Sequence, residues 1–224
     1  MRLSTPGRWL LAATITAHLS LASCAPTPTG TVRLVGGNTV EFPAIVRSGA
    51  FGQGDIAGYH LVVWRGGRAT DHALFVAGVG DVQVIDALES LGAVPGNGLA
   101  IDTWEQRHDA ADPAPDRTIE GPRVELEFLF PGSDRPLTLD DILDDAGDRG
   151  FDMRFGGHRA NIDAWHSGCV ICLYSCPGSK VGNARYTVRD FVAGGPHFSV
   201  RPGILPADGT EVTVRLRLVQ GEPS

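Results

Sequence analysis

Three cysteines, Cys169, Cys172 and Cys176, fall within eight residues of a 224-residue chain that has four in all. They are spaced Cys-x2-Cys-x3-Cys-Pro, ending on Pro177. On helical turns, positions i, i+3 and i+7 share one face. On a loop the same short spacings still let three sulfurs reach a common point, with Gly168 and Gly178 supplying the backbone freedom. Counting back three from Cys169 reaches His166, so the run is His-x2-Cys-x2-Cys-x3-Cys-Pro. That is the bacterial ferredoxin spacing with His in place of the first Cys.

Four chemistries fit this donor set. Cys169, Cys172 and Cys176, with His166 fourth, can hold an iron–sulfur cluster. The same residues suit a single zinc or copper ion, because thiolates favour soft metals and one His with three Cys makes a closed zinc site. In an oxidising compartment two of the thiols can pair in thiol–disulfide chemistry and leave one free. A disulfide that only staples the loop is the fourth. Export of an unfolded chain weighs against a cluster, which would have to be assembled outside the cytoplasm.

Little else in the chain suggests chemistry. His60, His72, His108, His158 and His197 each read singly as surface or hydrogen-bonded histidines, with His158 nearest the cysteine segment. There is no Gly-x-Ser-x-Gly elbow, phosphate-binding glycine loop or His-Glu-x-x-His, so nothing points to a hydrolase or transferase. Asp140, Asp141, Asp144 and Asp145 lack the calcium-loop spacing and read as a solvated acidic face.

The N-terminus reads as an address. Arg2 and Arg8 precede an apolar run from Trp9 to Leu21, which is too short for a span of about 20 apolar residues. It has the plan of a secretory signal. Leu21-Ala22-Ser23-Cys24 resembles the lipobox of bacterial lipoproteins, so residues 1–23 are expected to be removed and Cys24 acylated. Two or three acyl chains give stable anchoring where one does not. Ala25 and Pro26, with no Asp after the cysteine, resemble an outer-membrane sorting signal, facing the periplasm in a Gram-negative cell. No Arg-Arg pair is present, which points to export of the unfolded chain.

Removing 23 of 224 residues leaves 201, enough for one domain. The net charge is −7, and the segment removed carries two arginines and no acid, so the mature chain stands at −9. An acidic domain has no electrostatic attraction to nucleic acid. The expected contacts are the membrane, through the lipid, and an envelope protein that could pair with exposed strand edges.

The 29 Gly and 15 Pro predict turns and short strands. Residues 24–30 form a tether and 31–224 the domain. Residues 31–35 and 39–46 read as a hairpin turning at Gly36-Gly37-Asn38. Strands are also predicted over 60–64, 73–76, 99–104, 123–130 and 212–219, the last two with clear period-2 alternation. A helix is expected over 82–91, with Asp81 as N-cap and Gly92 as stop. A second is expected over 139–146, where Thr138 and Asp141 make a capping signal. Residues 108–122 read as a surface loop. The sum is a strand-dominated, single-domain α+β fold with two short helices and an irregular cysteine-rich segment over 165–178.

The run Val40-Glu41-Phe42-Pro43-Ala44-Ile45-Val46 resembles the YdjY-like family of bacterial exported proteins. So do His60-Leu61-Val62-Val63, Asp71-His72-Ala73-Leu74-Phe75, and Asp86-Ala87-Leu88 with Leu91-Gly92-Ala93. The Cys-x2-Cys-Leu-Tyr-Ser-Cys-Pro-Gly segment and Gly182-Asn183-Ala184-Arg185-Tyr186 carry the likeness over most of the mature chain. Members have been labelled ferredoxin-like or iron–sulfur-binding lipoproteins, so the resemblance implies the anchor and the cysteine site. In that family a Glu commonly follows the position of His72. Here it is Ala73, so a polar pair at that place is not kept.

Overall fold

The computed structural model describes residues 30–52, 58–108, 116–195 and 197–219. The signal segment and Cys24 lie outside them. Eleven strands are formed among the described residues: β1 (Arg33–Val35), β2 (Thr39–Val46), β3 (His60–Trp64), β4 (Phe75–Ala77), β5 (Val124–Leu129), β6 (Leu143–Asp145), β7 (Met153–Phe155), β8 (Cys169–Cys172), β9 (Val181–Asn183), β10 (Phe198–Val200) and β11 (Glu211–Leu218). Five short helices join them: α1 (Asp81–Ser90), α2 (Asp102–Glu105), α3 (Leu139–Ile142), α4 (Arg159–Trp165) and α5 (Val188–Val192). No helix among the described residues is long and apolar enough to cross a membrane.

The predicted hairpin forms, with Val35 paired to Thr39. Its turn needs glycine, because Gly36 and Gly37 have φ of 61° and 80°, a region open to few other residues. β11 runs between β2 and β5, antiparallel to both. Its alternation settles which face is buried: Val212, Val214, Leu216 and Leu218 are inside. Arg215, on the other face, bridges Glu41 at 2.7 Å and Glu127 at 2.9 Å. Inside, Phe75 stacks on Phe128 with ring centroids 4.8 Å apart.

The main sheet runs β5-β11-β2-β4-β3-β8-β9-β7, with β1 on β2. Its two ends meet. Arg123 bridges Arg154 in antiparallel fashion, and the Phe155 N–H donates to Pro122 O at 2.9 Å. The result is a nearly closed barrel with one hydrophobic core. β6 and β10 form a separate two-stranded ribbon. Two neighbour pairs, β3·β4 and β8·β9, are parallel, so the chain crosses over through residues 65–74 and 173–180. These two crossovers carry much of the candidate site.

The strand-dominated α+β expectation holds, with five α-helices and two 3-10 turns, Thr70–His72 and Gln106–His108, among the described residues where two helices were expected. Residues 99–104 form no strand. Ile101 starts α2, with Asp102 and Glu105 in the first turn, where acids suit the helix dipole. Gly80, not Asp81, caps α1, because the Asp81 carboxylate is engaged by Lys180 at 3.1 Å. The helix expected over 139–146 stops at Ile142 and continues as β6, where Asp145 takes the Tyr186 hydroxyl at 2.6 Å. The cysteine segment is irregular except at its centre, where Cys169–Cys172 forms a fully buried strand inside the sheet.

Candidate functional site

Cys169-Val170-Ile171-Cys172 has no polar residue and lies between β3 and β9, where a strand buried on both faces reads as a continuous apolar run. In a regular strand, residues three apart point to opposite faces. Here the pairing with β3 slips twice: His60 faces Cys172, Val62 faces Ile171, and Val63 faces Cys169. The bulge turns Cys169 back toward Cys172, as an extra unpaired residue does. After Cys172 the crossover folds over the strand and presents Cys176. There the Ser179 N–H and hydroxyl both donate to Cys176 O, at 3.1 and 2.7 Å, and Pro177 holds the turn.

All three cysteines are free and buried. The Cys172 thiol is close enough to those of Cys169 and Cys176 to be influenced by both, which puts Cys172 at the centre of the three. The Cys169 thiol donates to Ile171 O at 3.3 Å. Backbone N–H groups two residues ahead donate to the other two sulfurs, Tyr174 to Cys172 and Gly178 to Cys176. Burial, then the bond to Cys169, pushes the Cys172 thiol well up; the bond to Cys172, then burial, does the same for Cys176. As folded, Cys172 and Cys176 are held as protonated thiols. Among the described residues no group of three or more His, Cys, Asp or Glu has the arrangement of a metal-ion site.

Cys169 and Cys176 border a cavity of about 260 Å³. The crossover of residues 65–74 supplies Arg68, Ala69 and His72 to its wall, β3 and its approach supply Tyr59 and His60, and α2 and α4 supply Trp104 and Trp165. The two tryptophans meet edge to face at 5.6 Å. Tyr59 lies against the His60 ring at 3.9 Å between centroids. His60 is buried, and its Nδ1 has no hydrogen-bond partner. Burial alone pushes its pKa down to about 4, so the imidazole is neutral at neutral pH.

The site is tied down from behind. Lys180, the only lysine of the chain, is buried and donates to Gly178 O at 2.8 Å while pairing with Asp81. Asn161 of α4 donates to Pro177 O at 2.9 Å and to Leu99 O at 2.8 Å. Gly67 and Gly168 pack backbone to backbone: a Cβ on Gly168, whose φ is +69°, would lie 2.4 Å from Gly67 Cα.

Of the residues named from the sequence, the fold brings Cys169, Cys172 and Cys176 together. His166 is exposed. It ends α4 in a left-handed conformation, φ 51°, and its carbonyl accepts the Arg68 N–H at 2.9 Å. It does not border the cavity. His158 caps the other end of α4 and is exposed, as is His197. Sequence reasoning passed over His60. Its signal, a lone histidine opening an apolar strand, becomes informative only once β3 is known to lie against β8.

The barrel wall carries two of the buried thiols on its central strand β8 and the third, Cys176, on the crossover that follows it. The YdjY domain family matches residues 37–217, so the chain belongs to that family. It is 27% identical over 162 residues to the uncharacterized protein YdjY of Escherichia coli strain K12, covering 72% of this chain and 68% of that one. No solved structure matches the chain.

Proposed function

We propose that this is a lipid-anchored envelope protein whose barrel binds a single soft metal ion, zinc or copper, through Cys169, Cys172 and Cys176, for metal handling or electron transfer. The observation that carries the reading is the linked trio of buried thiols, two of whose sulfurs already accept backbone N–H bonds. Such donors stabilise thiolate, the form a metal binds. In the metal-free chain the protons stay on sulfur, and a bound cation would replace them and draw the sulfurs from a chain into a cluster. A strand held in ladders on both sides cannot wrap a polynuclear cluster as the loops of ferredoxins do, which favours a single ion. The anchor rests on the Leu21-Ala22-Ser23-Cys24 signal.

Thiol–disulfide exchange is the second reading. The contacts of Cys172 with both neighbours favour it. Burial and raised pKa values oppose it, since a reactive thiol is exposed and acidic.

One experiment separates the two. The detergent-solubilised, lipid-modified chain, purified without air, is analysed for metal and then titrated for thiols after denaturation in chelator. One equivalent of zinc or copper with three titratable thiols is expected, the acylated Cys24 contributing none. Replacing the three cysteines by serine should abolish binding. A metal-free protein with one thiol overturns the metal reading in favour of a bridged pair.

A further inference from the structure

We infer that the cavity bordered by Cys169 and Cys176 is a binding site for a small aromatic carboxylate, with Arg68 taking the carboxylate and Trp104 and Trp165 the ring. The inference goes beyond the metal reading and does not rest on it.

Charge comes first. No Asp or Glu lines the cavity, although the chain carries a net charge of −7. Arg68 is the one lining residue with a permanent charge. It is exposed, and its guanidinium makes no ion pair or hydrogen bond with any described residue. A planar guanidinium matches a carboxylate through two parallel hydrogen bonds. Cys176 is held as a neutral thiol, so it does not repel an anion. The cavity thus favours a negative ligand, against the sign of the molecule as a whole.

Unused polar groups come second. His60 borders the cavity, is 7% exposed, and has no partner for its Nδ1. Buried polar atoms are nearly always hydrogen-bonded, and each exception calls for an explanation. Next to it, the equally buried Tyr59 makes no hydrogen bond through its hydroxyl with any described residue. Two neighbours on one wall therefore lack partners, whereas other buried polar side chains, such as Asn161 and Ser175, have theirs. A polar ligand entering beside Tyr59 and His60 supplies what the chain does not.

Shape comes third. Trp104 and Trp165 are half-buried and meet edge to face, with ring centroids 5.6 Å apart. An aromatic corner of this kind receives another ring by offset or edge contact, and the cysteine sulfurs add polarizable neighbours. The Arg107 guanidinium already lies over Trp104, 4.1 Å from the ring centroid, so a cationic ligand against that indole would meet a like charge. The cavity holds about 260 Å³, just under the roughly 300–1,000 Å³ of ordinary ligand sites. That suits one ring system with an acid group and is small for a nucleotide or a peptide.

The test uses the full chain in detergent, with benzoate and phenylacetate as probes and benzyl alcohol and benzyltrimethylammonium as neutral and cationic counterparts. Calorimetry of the wild type should show one saturable site for the carboxylates, weaker binding of the alcohol and none of the cation. In protein labelled with ¹⁵N-histidine, the His60 side-chain resonances should shift on adding phenylacetate. Arg68→Gln, an exposed change that leaves the core alone, should weaken carboxylate binding by about 10- to 100-fold, as loss of a hydrogen bond to a charged group does. It should leave the affinity for benzyl alcohol unchanged. No saturable binding of either carboxylate overturns the inference. So does a preference for the cation, or carboxylate binding that leaves His60 unshifted or survives Arg68→Gln. The shift at His60 is read on unaltered protein, so misfolding of a variant cannot mask the answer. None of these outcomes bears on the metal analysis, so failure here and failure of the metal reading are told apart.

Discussion

At the level of single residues, the least expected feature is the ion pair of Lys180 and Asp81, whose side chains are 2% and 6% exposed. Removing one partner of such a buried pair strands the other charge, at a cost of about 3–5 kcal/mol. Lys180→Met should lower stability to urea by that order, and Asp81→Leu added to it should recover most of the loss. Because Lys180 also holds Gly178 O, the single variant should loosen the turn beyond Cys176 and speed alkylation of that thiol in the metal-free protein. The spacing of the three cysteines suggests that they act together, but an extended run of that length spans more than about 20 Å, so it is the register slip in β8 and the crossover after it that keep them close. Counting by three along the chain points to His166, which the fold leaves exposed at the end of α4, whereas His60 is paired with Cys172 across two strands. Spacing reports neighbours along the chain and is blind to neighbours across a sheet.

Among the elements, those with a clear period were legible: β5 and β11 alternate, and the glycine turn fixes β1 against β2. β8 was hidden because Cys-Val-Ile-Cys shows no alternation and is flanked by turn residues, so a buried central strand looked like a loop. Just before this strand, Gly168 lies backbone to backbone against Gly67. Gly168→Ala must place a Cβ at positive φ, worth about 1–2 kcal/mol by itself, and push the two backbones apart. The expected result is a loss of more than that in a denaturation curve, with Cys169 becoming accessible to alkylating reagents. β6 owes its end to a different device. The Tyr186 hydroxyl reaches both oxygens of Asp145, at 2.6 and 2.7 Å. Burial, then this carboxylate, pushes the phenol from its usual value near 10 up to about 12. The raised pKa means that below pH 10 the contribution is intact. Between about 10 and about 12 the unfolded chain loses its proton first, so stability falls as pH rises. Tyr186→Phe should flatten that limb of the urea-midpoint profile.

For the molecule as a whole, the proposed lipid on Cys24 would set the geometry together with the barrel. Seven residues of chain, 24–30, can span at most roughly 25 Å, and Gly30 packs on Pro43 of β2. The barrel would therefore ride close to the bilayer. Cys24→Ser should release the protein from membranes into the aqueous phase of a detergent partition while leaving its metal content and melting curve unchanged. Barrel closure through Arg123 and Arg154 could not be read from the sequence, because neither residue shows a pattern that names its partner. The central place of β8 has a last implication, for biogenesis. The strand is sheltered only after β3 and β9 have closed on it, and pairings between distant segments form late in folding. On the export proposed above, a newly translocated chain would carry three naked sulfhydryls through an oxidising space before its walls assemble. Whatever reductant or metal donor protects them must act within that interval, and cells lacking it should accumulate wrongly cross-linked precursor instead of finished protein.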